Sequence, residues 1–447
     1  MLEMFNLWTL AENSGLATRQ SQDEAHQDHY CRATFNEVAQ MSTNPRRLII
    51  RALARLERSD TGASQQILRE ILDGPDARTM DPRDRSLVTE CFYGVLRWRL
   101  QLDAVIGQYA KRGVPKDPEV ANLLRLGAFQ LLHLDRVPAR AAVHSTVKMA
   151  RKLRGESISR FVNGVLRQID RQPPSFTELS EKWSHPQWIV DCFERDLKDP
   201  TLVEARLRAN MTPPPLTLRL HPNAPQEARD SVDIGETLTV LAPSNYQKVR
   251  EGIQQNWWLP QDEASAQVVH LLNPQPGDRV LEICAGRGVK SSQIATAIGS
   301  NGLLLAVDNS AARLASSRRL LSRWAPDTPH HMVAANAANT LPIDPSLRFD
   351  RILIDAPCSG LGVIRRRPEI LFSRKAADVE KNARLQKAIL ASAHSWLKPD
   401  GVLVYAVCTT TREETTEITH GYSIIDSFES RPERDQIDGF YAAMLAL

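Results

Sequence analysis

The chain has 447 residues, of which 42% are hydrophobic and 24% are charged, and its formal net charge is +3. This length exceeds what one core usually supports, so we expect two or three domains with the composition of a soluble globular protein. No apolar run approaches the ~20 residues that a membrane span needs, and the N-terminus lacks the basic start of a secretory signal. The six cysteines form no CxxC pair, which argues against a disulfide scaffold and against a metal site, so we expect reduced thiols in the cytoplasm.

The charge is unevenly distributed along the chain. Residues 1–42 carry a net charge of −4, residues 43–171 carry +10, and the remainder carries −3. The first segment is polar and aperiodic, which predicts a disordered leader, although Met41 is also typical of a natural protein start. The basic second segment indicates a polyanionic partner, and a solvated basic surface explains the same charge equally well.

Residues 43–172 have the periodicity of helices throughout. Apolar residues recur at spacings of three and four in "PRRLIIRALARLE" and in "DPEVANLLRLGAFQLLHL". The Asp-Pro pairs at 81–82 and 117–118 are typical helix starts, with Asp at the N-cap and Pro in the first turn. The pattern predicts an all-α bundle with basic faces. Its candidate RNA-binding residues are Lys148, Arg151 and Lys152.

The pattern changes twice after the helical part. Residues 173–255 open with two prolines and mix helical and extended stretches, which indicates a small connecting subdomain. In residues 256–447 the short apolar runs "RVLEI", "LLLAV", "HMVAA", "RILI" and "VLVYAV" are separated by helical segments. This alternation predicts a doubly wound, mostly parallel α/β sheet of the Rossmann-like type, in which ligands bind beyond the carboxyl ends of the strands.

A glycine loop follows the first of these strands. Gly286 and Gly288 allow a tight turn and close approach of a ligand, and Asp308 ends the next strand, where it can accept hydrogen bonds from ribose hydroxyls. The third glycine of a dinucleotide loop is replaced by Ser291, and a P-loop needs glycine where Val289 stands. S-adenosylmethionine, which has no phosphate, therefore fits better than a nucleotide; a purely structural turn is the alternative.

Two cysteines stand where strands of this sheet are predicted to end. Cys358 follows the run that ends at Asp355, and Cys408 comes directly after "VLVYAV". A lone cysteine is usually a small buried hydrophobe, but two at the ligand-binding edge favour a shared chemical role. A thiolate that attacks C6 of a pyrimidine allows C5 to accept a methyl group, after which a base removes the C5 proton and the thiol leaves. Asp355 is placed to hydrogen-bond the base edge and favour cytosine.

These segments resemble the RNA 5-methylcytosine methyltransferases of the Sun/NOL/RsmB type. The most specific matches are "DAPCSGLG" (355–362), followed by "RRRPE" (365–369), and "YAVCTTTREE" (405–414). "CAGRGVK" (284–290) stands where the family has CAAPGGK, and the helical part is similar to the NusB-like RNA-binding domain of the RsmB subgroup. The resemblance covers about residues 44–447. It implies a class I methyltransferase domain, S-adenosylmethionine as cofactor and a cytosine of 16S rRNA as substrate.

The resemblance also implies roles for individual residues. The later family cysteine, which matches Cys408, is the nucleophile, and the earlier one, which matches Cys358, assists release of the product. Asp355 orients the base. The residues expected to hold the cofactor are Cys284, Ala285, Gly286, Arg287, Gly288, Val289, Lys290, Asp308, Asn336 and Asp355. The residues expected to grip phosphates next to an unstacked target base are Arg365, Arg366 and Arg367, with a solvated loop as the alternative.

The sequence departs from the family pattern at several positions. Gly286, Arg287 and Val289 replace Ala, Pro and Gly of the usual loop, and Asn336 stands where Asp is usual. The chain is shorter than expected between residues 414 and 438, which predicts that the last strands are trimmed. Two alternative functions stay open: the same chemistry on tRNA, and a non-catalytic RNA-binding or ribosome assembly factor. We expect the protein to be a monomer.

Overall fold

The computed structural model describes residues 44–59, 64–172, 174–230, 239–241 and 246–446. The predicted disordered leader and the alternative start at Met41 lie outside the described residues. None of the helices in these ranges combines the length and the hydropathy that crossing a membrane requires.

The first part of the fold is helical, as predicted. Its helices are α1 (Pro45–Glu57), α2 (Ser64–Leu72), α3 (Pro75–Arg78), α4 (Pro82–Arg97), α5 (Arg99–Tyr109), α6 (Pro118–His133) and α7 (Ala139–Arg171). The side chains of Asn44, Asp81 and Asp117 cap α1, α4 and α6 by accepting hydrogen bonds from backbone N–H groups of the first turn. Gly155 bends α7, because its φ of +80° is not helical. The apolar faces of these helices enclose one core.

The connecting part joins helices to a small sheet. Its elements are α8 (Leu179–Lys182), α9 (Gln187–Leu197), α10 (Pro200–Met211), β1 (Thr217–Leu220), α11 (Gln226–Arg229), β2 (Thr239–Leu241), α12 (Tyr246–Gln254) and β3 (Trp258–Pro260). Strand β1 lies between β2 and β3 and is antiparallel to both. Trp258 is 1% exposed and belongs to the core of this part.

The third part contains a seven-stranded sheet. Its elements are α13 (Glu263–Leu272), β4 (Arg279–Ile283), α14 (Val289–Ile298), β5 (Leu303–Asp308), α15 (Ala311–Trp324), β6 (His330–Ala334), β7 (Phe349–Asp355), α16 (Ile370–Ser373), α17 (Ala376–Ala393), β8 (Leu397–Val407), α18 (Thr416–Thr419), β9 (Ser423–Ser430), α19 (Pro432–Asp435) and β10 (Phe440–Ala446). The strand order is β6-β5-β4-β7-β8-β10-β9. Strands β4 to β8 pair in parallel, and β10 is antiparallel to both of its neighbours.

This topology confirms the predicted doubly wound, mostly parallel sheet. Val280 of β4 and Leu353 of β7 pack on the side of α13 and α14, whereas Leu281 and Ile352 pack on the side of α17. Successive side chains of a strand point to opposite faces, so continuous apolar runs are buried on both sides. The direction of chain progress reverses between β4 and β7, and a sheet of this kind binds ligands at such a point.

The expectation that the last strands are trimmed is wrong. Residues Tyr441 to Leu445 of β10 pair with β8. On its other side β10 pairs with β9, from Phe440 opposite Ser430 to Ala446 opposite Ser423. The connection between β8 and β9 is short and holds only a 3₁₀ turn (Arg412–Glu414) and the four-residue α18. The sheet therefore keeps all seven strands.

The turn after Cys358 lies against the chain segment that enters β10. Gly362 N–H donates to the carbonyl oxygen of Cys408 at 3.1 Å, and Gly439 N–H donates to the carbonyl oxygen of Gly362 at 2.8 Å. The two glycine backbones touch: a Cβ added at Gly362 would lie 1.9 Å from the Gly439 carbonyl oxygen. The ends of β7, β8 and β10 can approach one another here because neither glycine carries a side chain.

We expect Gly362→Ala to lower the midpoint of thermal unfolding by several degrees. The added methyl group has to push the two backbones apart, and overpacking of this kind typically costs about 1–3 kcal/mol. The control is Gly107→Ala in α5, where an added Cβ meets nothing within 4 Å and helix propensity favours alanine. Thermal unfolding followed by circular dichroism tests the prediction, and equal midpoints for the two variants would contradict it.

Candidate active site

The carboxyl ends of four strands bring the predicted site residues to one edge of the sheet. The loop from Cys284 to Lys290 follows β4, Asp308 ends β5, and Asp355 ends β7. Cys358 lies three residues beyond the end of β7, and Cys408 comes directly after β8. Because β4, β5, β7 and β8 are adjacent or nearly adjacent parallel strands, these residues face one region.

The two cysteines are in direct contact. The Sγ atoms of Cys358 and Cys408 are 3.2 Å apart, and neither residue is fully exposed or fully buried. The backbone fixes this arrangement on both sides: Ala356 N–H donates to the carbonyl oxygen of Ala406 at 2.9 Å, and Gly362 N–H donates to that of Cys408. The structure thus brings together two residues that are separated by fifty positions in sequence.

The surroundings of the two sulfurs differ, and we assign the shared proton to Cys358. The hydrogen bond from Cys358 lowers the pKa of Cys408 and outweighs burial and the charge of Asp355, which raise it. The cations Lys290 and Arg367 lower it further. The same hydrogen bond, together with burial and the charge of Glu414, raises the pKa of Cys358. Cys408 is therefore the better thiolate and Cys358 the better hydrogen-bond donor.

Lys290 and Asp355 form an ion pair beside the sulfurs. Lys290 Nζ lies 2.8 Å from Asp355 Oδ2, and its ammonium group lies 5.5 Å from the centre of the Phe440 ring. Lys290 is only 8% exposed. Burial disfavours its charge, but the Asp355 carboxylate outweighs this effect and holds the pKa of Lys290 above the ordinary value. The last residue of the glycine loop is thus tied to the end of β7.

The glycine loop has the backbone of a cofactor-binding turn in spite of its changed sequence. Cys284, Gly286 and Gly288 have φ values of +64°, +60° and +89°. Gly286 N–H donates to Asp308 Oδ2 at 2.9 Å, which fixes the loop against the end of β5. A Cβ at Gly288 would lie 2.3 Å from Ser317 Oγ, so this position requires glycine. At Gly286 an added Cβ would meet only the Cys284 carbonyl oxygen, at 3.9 Å, so the space for a ligand lies beside this glycine.

Glu282 is a further site residue that the sequence analysis did not identify. It lies in β4, is 1% exposed, and neither of its carboxylate oxygens accepts a hydrogen bond from the described residues. Burial raises its pKa to about 8, and the charges of Asp355, Lys290 and Asp308 act on it. The Ser291 hydroxyl opposes that rise in pKa, and both carboxylate oxygens are shielded from solvent, so Glu282 lies in the strand before the cofactor loop and exposes no oxygen to a ligand. The only signal in the sequence was an acidic residue inside an apolar strand.

The remaining predicted cofactor residues lie around the same edge. Ala285 is buried, Arg287 is exposed, and Val289 begins α14 and packs toward α15. Asn336 follows β6, is exposed, and its Oδ1 accepts a hydrogen bond from Ala338 N–H at 3.1 Å. Burial raises the pKa of Cys284 to about 12, so this third cysteine remains a thiol.

Two of the three arginines predicted to grip phosphates have partners within the protein. Arg365 is 5% exposed and donates through Nη1 to the carbonyl oxygen of Gln436 at 2.8 Å. Arg366 forms ion pairs with both Asp262 and Asp438. Both guanidinium groups are thus engaged by partners within the protein, and a contact of either with RNA stays a prediction. Arg367, whose side chain is 49% exposed, pairs with Glu369 at 3.2 Å and stays a candidate for RNA contact.

The predicted basic cluster of the helical part lies on the surface of α7. Lys148, Arg151 and Lys152 are exposed in the half of the helix that precedes the bend at Gly155. Arg151 pairs with Glu156 at 2.7 Å. This cluster is separate in the fold from the sheet edge that carries the cysteines.

A Rossmann-like sheet with a cofactor loop after β4, preceded by a helical bundle, defines a class I methyltransferase with an N-terminal accessory domain. A family model described as "16S rRNA methyltransferase RsmB/F" matches residues 269–426, and the model of the NusB family matches residues 43–171. The probable ribosomal RNA small subunit methyltransferase B of Bacillus subtilis is 31% identical over 409 residues, covering 85% of this chain and 88% of that protein. The corresponding Vibrio vulnificus protein is 30% identical and covers 83% and 93%.

The chain therefore belongs to the ribosomal RNA small subunit methyltransferase B (RsmB/F) family of S-adenosylmethionine-dependent methyltransferases. Solved structures share the fold. The crystal structure of PH0851 matches with a TM-score of 0.75 and 20% identity, covering 91% of this chain and 99% of that one. NSun6 from Pyrococcus horikoshii matches with a TM-score of 0.50 and 16% identity, covering 58% and 97%. These comparisons confirm the predicted family, fold and cofactor.

We expect Asp308→Ala to weaken binding of S-adenosylmethionine at least about tenfold, since the loop loses the acceptor of Gly286 N–H and the ligand loses a carboxylate. Isothermal titration calorimetry measures the affinity. Asp344→Ala is the control, because Asp344 also accepts a backbone hydrogen bond, from Ser346 N–H at 2.9 Å, in an exposed turn away from the loop. Equal affinities for the two variants would contradict the assignment of the pocket.

Proposed function

We propose that this chain transfers a methyl group from S-adenosylmethionine to C5 of a cytosine in 16S rRNA, through a covalent bond between Cys408 and C6 of the base. The observation that carries the proposal is the contact between the Cys358 and Cys408 sulfurs at the sheet edge that also holds the cofactor loop. The names of the relatives, which are small-subunit ribosomal RNA methyltransferases, support this class of RNA as substrate.

Cys408 acts as the nucleophile in this proposal. Its sulfur accepts the hydrogen bond of Cys358 and lies near the Lys290 ammonium group, both of which favour the thiolate. Addition of the thiolate to C6 of cytosine breaks the aromatic conjugation and makes C5 nucleophilic. S-adenosylmethionine, when bound, supplies the electrophilic methyl group that C5 accepts.

Cys358 assists the release of the methylated base. After methyl transfer a base removes the C5 proton, and the electron pair of that C–H bond expels Cys408 from C6. The Cys358 thiol lies 3.2 Å from the departing sulfur and can donate a hydrogen bond to it as negative charge develops there. Without this donor, the covalent adduct is expected to persist.

The ion pair beside the sulfurs orients the substrate. Asp355 Oδ2 is held by Lys290 Nζ, which fixes the carboxylate and leaves Oδ1 to accept a hydrogen bond from the exocyclic amine of cytosine. The cofactor would be held by the turn at Gly286 and Gly288, with Asp308 on its ribose hydroxyls. The chemistry requires the face of C5 and C6, so the target base has to leave any stack, as in a loop or single strand.

The helical domain supplies a second contact with the RNA. The exposed cations of α7 precede the bend at Gly155 and supply positive charge, and Phe161, which is 37% accessible, exposes an aromatic ring beyond the bend. Such a surface binds the phosphate backbone without reading sequence, and it positions the RNA for the catalytic domain.

We expect Cys358→Ala, mixed with S-adenosylmethionine and 16S rRNA, to give a protein–RNA adduct that survives a denaturing gel. The adduct forms because Cys408 still adds to C6 while release is slowed. The band should disappear in Cys358→Ala/Cys408→Ala, the matched control, and should be absent with tRNA if 16S rRNA is the substrate. The result would favour the non-catalytic assembly factor if the wild type binds RNA but methylates neither 16S rRNA nor tRNA, and if Cys358→Ala gives no adduct.

We expect Lys148→Glu/Lys152→Glu to weaken RNA binding by at least about tenfold at 0.1 M salt and to reduce the slope of log K against log salt by about 2. Filter binding over a salt series measures both quantities. The control is Lys111→Glu/Arg112→Glu, an equal change of charge between α5 and α6 in the same domain. If both variants lose the same affinity, the effect reflects overall charge and the α7 surface has no particular role.

A further inference from the structure

Glu414 is a buried carboxylate that joins the two cysteine turns. It is 0% exposed and ends the 3₁₀ turn that follows Cys408. Ser359, the residue after Cys358, donates to it twice: its N–H to Oε1 at 2.8 Å and its Oγ to Oε2. Thr411, three residues after Cys408, donates through Oγ1 at 3.0 Å. One carboxylate thus binds both turns through their own hydroxyl and amide groups.

A third segment completes the arrangement. Gln386 of α17 donates through Nε2 to Glu414 Oε1 at 3.1 Å and to the carbonyl oxygen of Pro357 at 2.9 Å. Thr409, the residue after Cys408, contacts the Ser359 hydroxyl at 3.0 Å between the oxygens. Four donor groups from three chain segments therefore converge on an acceptor-only side chain, directly behind the sulfurs.

We propose, on the basis of the function proposed above, that Glu414 is the positioning residue of the cysteine pair: its carboxylate holds the turn of Cys358 against the turn of Cys408 and keeps the two sulfurs in contact. A carboxylate is suited to this task because it accepts four hydrogen bonds and donates none. An amide of the same shape would lose the negative charge, and its NH2 group would force the Ser359 and Thr411 hydroxyls to accept where they now donate.

The charge of Glu414 has a second effect, on the distribution of the proton. Glu414 lies on the Cys358 side, where its charge raises the pKa of that thiol. Lys290 and Arg367 lower the pKa of Cys408, and the hydrogen bond from Cys358 lowers it most, against the opposing charge of Asp355. The same carboxylate that sets the distance between the sulfurs thereby favours the state in which Cys358 is the donor and Cys408 the thiolate.

The test compares the alkylation of the two thiols in folded protein. Iodoacetamide is added at neutral pH to the full chain without RNA or cofactor, and labelled peptides containing Cys358 and Cys408 are quantified by mass spectrometry over time. In the wild type we expect Cys408 to react first. In Glu414→Gln we expect the rate at Cys408 to fall at least about tenfold and its preference over Cys358 to be lost, since a tenfold change corresponds to one pKa unit.

Asp350→Asn is the matched control. Asp350 lies at the opposite end of β7, where its carboxylate also joins two segments by accepting from Arg279 N–H and pairing with Lys398. It should lower thermal stability and leave the ratio of the two labelling rates unchanged. An unchanged ratio in folded Glu414→Gln would overturn the proposal.

If Glu414→Gln does not fold, Ser359→Ala and Thr411→Val replace it, since each removes one donor to the carboxylate. Both are expected to reduce the preference of the label for Cys408 over Cys358; no change in either would overturn the proposal.

Activity gives an independent readout. With 16S rRNA, Glu414→Gln should lower kcat by about 10–100-fold while KM for RNA and for S-adenosylmethionine stay within about twofold, because substrate contacts are intact and the nucleophile is misplaced. The labelling experiment needs no substrate, so it remains informative if the proposed methylation fails. If the wild type does not methylate RNA but Glu414→Gln still loses the labelling preference, Glu414 remains the positioning residue and only the proposed reaction is rejected.

Discussion

The parallel pairing of β7 with β8 is the constraint on which the rest of the site depends. It aligns Asp355 with Ala406, so that Cys358 and Cys408 leave the sheet side by side and their sulfurs meet. Every other element of the site is arranged around this pair: the glycine loop after β4 reaches it through Lys290, and Asp308 anchors that loop from β5. A shift of one residue in the β7–β8 register would turn the side chains of one strand to the other face of the sheet and move the two sulfurs apart.

The turn that follows Cys358 shows how the surrounding structure supports this geometry. Its arginines are held by the carbonyl of Gln436 and by the carboxylates of Asp262 and Asp438, which come from widely separated parts of the chain. Buried ion pairs of this kind contribute little net stability, because desolvation offsets attraction, yet removing one partner costs about 3–5 kcal/mol. Their effect is to specify one arrangement of the loop.

Much of the fold and part of the site follow from local sequence signals. Capped helix starts at Asp81 and Asp117, and apolar runs buried on both faces, led to the bundle and to the parallel sheet. The strand-end rule led to both cysteines. Partners that are distant in the sequence leave no such signal. Whether an arginine contacts a phosphate or Asp438 depends on the segment that packs over it. The burial and the neighbours of Glu282 and Glu414 are likewise set only when the chain folds. A short segment between residues 414 and 438 predicts lost strands from its length alone, but length does not reveal that β9 fits within it and pairs with β10.

Arg97 at the end of α4 links the two functional halves of the molecule. Its side chain is 4% exposed, and Nη2 donates to the carbonyl oxygen of Arg365 at 2.8 Å, within the turn that follows Cys358. The helical domain therefore packs directly against the turn that follows Cys358. Separating the two on independent chains would expose a guanidinium group on one and an unpaired carbonyl on the other. Changes at Arg97 and changes in the turn after Cys358 are therefore coupled through this hydrogen bond.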